Sequence, residues 1–78
     1  MIHELKCKPE YFRTLDAQSR NYDIRKADRD YRVTDSLLIK EYAPVMGYTG
    51  RHIYRRITHI LKEAPGLDKN YIILSLSL

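Results

Sequence analysis

Residues 51–66 read RHIYRRITHILKEAPG, and whether they form a helix or a strand decides the fold. Ile53, Ile57, Ile60 and Leu61 fall at helical spacing, and Pro65-Gly66 is a good helix stop. Against that, the run is rich in β-branched residues and tyrosine. It also follows APVMGYTG (43–50), where Pro44, Gly47 and Gly50 mark a hairpin loop. The pattern alone leaves both readings open. A helix here gives a basic segment of the kind that reads DNA in helix-turn-helix proteins. A strand gives a small, mostly β domain.

The rest of the chain favours strands. IHELKCK (2–8) alternates, placing His3, Leu5 and Cys7 on one face. NYIILSLSL (70–78) alternates too, with Ile72, Leu74, Leu76 and Leu78 on one side. In SLLIKEY (36–42), if Leu37 and Ile39 point inward they carry Glu41 to the same side; the opposite register turns Leu38 inward instead. PEYFRTLDAQ (9–18) reads as a helix. Pro9 suits its first position, Glu10 complements its positive end, and Tyr11, Phe12 and Leu15 form an apolar stripe. NYDIRK (21–26) alternates with Tyr22 and Ile24 expected inward, so Asp23 and Arg25 share the outer face. ADRDYRVTD (27–35) is a turn-rich connection.

With 78 residues the chain forms one domain, 1–78, able to shape a single cleft. Its net charge of +4 suits a polyanionic partner. A lone cysteine, Cys7, allows no internal disulfide and fits a reducing cytosol, so a cytoplasmic location is expected. Glu4 interrupts any signal-peptide pattern, and YIILSLSL is too short to span a bilayer, so no membrane partner is expected. His3, His52 and His59 lack metal-ligand spacing. His3 and Cys7 would lie about 13 Å apart along a strand, too far to share an ion. No metal and no cofactor are expected, and Cys7 reads as a small buried apolar residue.

The densest charge lies in RNYDIRKADRDYR (20–32). Arg20, Asp23, Arg25, Asp28 and Arg29 can line a polar cleft for a planar, hydrogen-bonding ligand, because guanidinium forks and carboxylates match base edges and phosphate oxygens. Left exposed, an Asp23–Arg25 pair would contribute under about 1 kcal/mol. Most tyrosines read as strand residues with rings inward. Tyr31 and Tyr48, in loops beside arginine, are the candidates for stacking on a base.

Together PEYFRTLDAQSRNYDIRK (9–26) and DRDYRVTD (28–35) resemble the start of ASCH-like domains in the PUA-like superfamily. That family's pattern is a helix, then Gly-x-Lys-x-x-Glu-x-Arg running into a strand. Its glycine, lysine, glutamate and arginine places fall on Gln18, Arg20, Asp23 and Arg25. VTD (33–35) is similar to the turn that opens the family's next strand. GYTGR (47–51) is similar to the hairpin of its small bacterial and phage members, as is the opening IHELK. The resemblance implies an α+β fold: a small five-stranded β-barrel with one or two short helices, in which 51–62 is a strand. It also implies an RNA-oriented cleft. Phosphate contacts would come from Arg20, Arg29 and Arg51, with Tyr48 stacking, and Asp23 and Arg25 in the cleft wall. Some ASCH proteins are amidohydrolases acting on acetylcytidine, through the motif lysine, a threonine three residues on and a downstream glutamate. Those first two places hold Arg20 and Asp23 here, and arginine stays protonated at any relevant pH. Binding of RNA or a nucleotide-like ligand therefore stands ahead of catalysis. The remaining alternative is a protein-interaction module, such as a phage-encoded inhibitor.

Overall fold

The computed structural model describes residues 1–78. The order is β1 (Ile2–Cys7), α1 (Pro9–Asp16), β2 (Tyr22–Lys26), β3 (Ser36–Ala43), β4 (Gly47–Leu61) and β5 (Tyr71–Ser77). All five strands join one sheet in the order β1-β3-β4-β5-β2. β1 runs parallel to β3, and the other pairings are antiparallel. The sheet curls into a half-barrel, and α1 packs against β3 on its concave side. The expectation of a partly closed five-stranded barrel with a helix near 9–17 holds at this level. No helix is long and apolar enough to cross a membrane.

The ambiguous segment is a strand, and the structure explains its helical disguise. Between Ile57 and His59 the register of β4 against β5 shifts by a bulge. A bulge inserts one residue and reverses the alternation beyond it. Ile53 and Ile57 face inward before the bulge, and Ile60 does so after it, opposite Leu74. The resulting 53-57-60 spacing imitates an i, i+4, i+7 helix face. The bulge also bends β4, letting its first part pair with β3 and its last part with β5. That bend helps curl the sheet.

The concave face carries the core: Leu5 and Cys7 from β1, Leu37 and Ile39 from β3, Ile57 from β4, and Ile72, Leu74 and Leu76 from β5. Phe12 and Leu15 of α1 close over them. Full burial of each such side chain stabilises by about 1.5–3 kcal/mol. β1 and β5 alternate as expected up to Leu76, whereas Leu78 lies beyond β5 and is exposed. Of the two registers open for β3, the one adopted turns Leu37, Ile39 and Glu41 inward. Tyr11 departs from its stripe and is exposed, because only Phe12 and Leu15 of α1 are buried. The hairpin is tighter than expected, with only residues 44–46 lying between β3 and β4. Tyr48 and Arg51 are consequently strand residues.

The expected faces of β2 are reversed. Asp23 is buried and Arg25 half-buried, while Tyr22 and Ile24 are exposed. An inward carboxylate is tolerable because every polar atom around it is matched. Asp23 accepts from Arg20 Nη1 at 3.1 Å, from Arg25 Nε at 2.7 Å and from the Ile24 amide at 3.1 Å. Tyr22 lies instead beneath the Arg20 guanidinium, 5.6 Å from the ring centroid. Tyr31 is also corrected: it is only 7% exposed, with its ring 4.7 Å from that of His3. The general expectation for tyrosines inverts as well, since five of the seven are exposed.

A second buried polar group anchors the turn before β3. His3 Nε2 lies 2.8 Å from Asp35 Oδ2, and that carboxylate also accepts from the Arg32 amide and the N-terminal amine. The His3 bond, followed by the amine and the Arg32 amide, holds the Asp35 carboxyl below its usual range against the opposing pull of burial. A carboxylate with a depressed pKa stabilises the fold above its unfolded value, and that contribution is lost as pH falls through the folded value. Asp35→Asn is therefore expected to lower stability at neutral pH and to lessen the loss on acidification below about pH 4. Urea melts of parent and variant across pH 2–7 check this; parallel curves would contradict it.

Candidate ligand-binding cleft

β1 and β2 are the two ends of the sheet order, and curling brings them face to face without pairing. A strand edge presents unmatched carbonyls and amides. Here two arginines reach across the gap. Arg25 donates from Nη1 to the Lys6 carbonyl at 3.1 Å, and Arg29 donates from Nη1 to the Glu4 carbonyl at 3.1 Å. These bonds tie the open seam of the half-barrel. Each guanidinium keeps further donors that take no protein acceptor.

Around the tie lies a cleft of about 670 Å³, walled by Glu4, Leu5 and Lys6 of β1 and by Ile24, Arg25 and Lys26 of β2. Asp28, Arg29, Tyr31, Tyr48 and Tyr71 complete it. Four cations (Lys6, Arg25, Lys26 and Arg29) face two carboxylates there, together with three tyrosines. The Lys6 ammonium sits 4.6 Å from the Tyr42 ring centroid and 5.8 Å from that of Tyr48, joining the cleft rim to a pair of rings packed edge to face.

The six residues singled out in the sequence separate into three groups. Arg25, Arg29 and Tyr48 meet at the cleft. Arg20 and Asp23 lie behind it. Arg20 is consumed by the fold, donating to Thr14 Oγ1, to the carbonyls of Tyr11 and Tyr22, and to Asp23. It fastens the end of α1 to β2 and has little left for a phosphate. Arg51 is elsewhere, paired with Asp16 at 2.9 Å over the Phe12 ring. The Asp23–Arg25 pair is not the exposed one expected: its side chains are 9% and 22% accessible. Lys26 lies in the charged run beside Arg25 but is not among the residues singled out there, while Lys6 and Tyr71 lie on other strands and carry no local pattern that links them to it.

Two further groups bear on chemistry. Burial, reinforced by the negative charge of Asp23, pushes the Cys7 thiol up, keeping it protonated and a poor nucleophile. Glu41, buried at the end of β3, accepts from Thr49 Oγ1 at 2.7 Å.

This chain is 32% identical over 73 residues to an uncharacterised 12.9 kDa protein in the GpA 3′ region of Escherichia phage P2. The match covers 94% of this chain and 65% of that protein, so the chain spans under two thirds of its relative's length. A family model described as Domain of unknown function (DUF3850) matches residues 2–76, and the chain belongs to that family.

Proposed function

We propose that the seam cleft binds RNA through a single-stranded nucleotide unit. One observation carries this reading. Curling of the sheet gathers Lys6, Arg25, Lys26 and Arg29 with Tyr31, Tyr48 and Tyr71 at the one place where the barrel does not close. Cations with unused donors suit phosphate oxygens, and an exposed tyrosine face suits an unstacked base. Asp28 supplies an acceptor for base amino groups.

The fold type that goes with this reading is ASCH-like within the PUA-like superfamily. Gln18, at that family's glycine place, adopts φ 58° just past the end of α1. A left-handed turn at that point is the feature a glycine would serve, and it supports the alignment of Arg20, Asp23 and Arg25 with the motif. Arg20, at the lysine place, is a protonated tie between α1 and β2, which favours binding over amide hydrolysis. A reducing cytoplasmic setting accords with the protonated, buried Cys7.

Titration with a short single-stranded RNA at graded salt tests the proposal. Neutralising three to four phosphates, that of the cleft nucleotide and those of its neighbours along the strand, gives a log–log slope of about −2 to −3. Absence of binding at low salt, or binding indifferent to salt, would overturn it. Co-purification of a stoichiometric protein partner without nucleic acid would do the same.

A further inference from the structure

We infer that the outer face of β3 and β4 is a second, contiguous track, along which single-stranded RNA runs after leaving the cleft. This rests on the cleft reading but adds a separate surface. Lys40, Tyr42, His52 and Tyr54 all point away from the core, as the pairs Lys40–His52, Leu38–Tyr54 and Tyr42–Tyr48 require once Leu37, Ile39 and Glu41 point inward. Tyr48 belongs to both regions. It lines the cleft, and it also lines a depression of about 290 Å³ with Lys40, Gly50, Arg51 and His52.

The track repeats one arrangement. At its start the Lys6 ammonium hangs over Tyr42 and Tyr48. Next, the Lys40 ammonium lies 5.5 Å from the Tyr48 centroid. Beyond it the His52 and Tyr54 rings meet edge to face, with centroids 6.1 Å apart. Tyr48 and Tyr54 are each 54% exposed, so both residues can be reached from solvent. Glu4 pairs with Lys40 and raises the lysine's pKa, which keeps that ammonium charged. From Tyr48 to Tyr54 the sheet advances roughly 13 Å, the span between their β3 partners Tyr42 and Leu38, further than one nucleotide in the cleft can reach. Alternating cations and open aromatic faces are how sequence-tolerant single-strand sites hold a backbone and its bases. Charge complementarity and continuity with the cleft both point to the same polyanion.

The test compares a uridine dinucleotide with an oligouridine of about eight nucleotides, within the ~4–16 nucleotides of small single-strand sites. The octamer should bind more tightly. Tyr54→Ala should weaken octamer binding by about 5- to 150-fold, the loss of one stacked base, and leave the dinucleotide unaffected. Tyr54→Phe, which keeps the ring, should restore the octamer. Arg29→Ala should weaken both. If the octamer binds no better than the dinucleotide, or Tyr54→Ala binds it like the parent while Arg29→Ala weakens both, the track is refuted and the cleft stands. If the parent binds neither, cleft and track fall together.

Discussion

Asp23→Ala should lower the melting temperature by about 12–24 °C, the largest effect of any polar substitution in this chain. Removing one partner of a buried ion pair costs about 3–5 kcal/mol, because the other charge is left uncompensated. Asp23 has two such partners, with Arg20 and Arg25 side chains only 17% and 22% accessible. Residual water around the guanidiniums favours the lower end of the range, about 3 kcal/mol. A domain of 60–100 residues loses about 4–8 °C for each kcal/mol. Asp30→Ala is the contrasting variant. Asp30 pairs with Arg32, and both side chains are at least 75% accessible, so the melting temperature should barely move. Thermal unfolding followed by circular dichroism reads both. An Asp23→Ala protein melting within a few degrees of the parent would mean that the inward face of β2 is wrongly assigned.

Arg25→Ala should weaken RNA binding by about 5- to 150-fold and also destabilise the fold. The binding loss follows from a charge-assisted hydrogen bond worth about 1–3 kcal/mol in a partly dry cleft. The stability loss follows from geometry. One guanidinium bonds Asp23 through Nε and the Lys6 carbonyl through Nη1, so its removal unmatches both groups and unties the seam. Hydrogen bonds to charged groups contribute about 1.5–3 kcal/mol. Arg25→Lys separates charge from shape. A lysine keeps the positive charge but cannot span both acceptors with one planar fork, so it should restore little affinity and little stability. Full recovery of both by lysine would show that Arg25 acts as a simple charge.

How far these features can be read in the sequence depends on how local they are. The alternation in 2–7, 36–42 and 71–77 announces its strands because each buries one apolar face. Residues 22–26 mislead, because their inward side chains are an aspartate and an arginine, matched by Arg20 from outside the strand. Residues 51–61 mislead for another reason: the bulge after Ile57 breaks the two-residue period and leaves a helical one. Of the candidate site, Arg25 and Arg29 stand out as part of a dense charged run. Lys6 and Tyr71 do not, because they join the cleft only through the strand order, which places the first and second strands at opposite ends of one curled sheet. The burial of Tyr31 is not legible locally, because it depends on contact with His3, which lies far off in sequence on β1.

Backbone amide chemical shifts, recorded while a short single-stranded RNA is added at low salt, test the seam cleft most directly. Perturbations should concentrate at Leu5 and Lys6, along Ile24 to Arg29, and at Tyr48 and Tyr71, and should fade as salt is raised. No shifts at saturating RNA, or shifts confined to α1 and the outer side of β5, would contradict the assignment of the seam as the binding site.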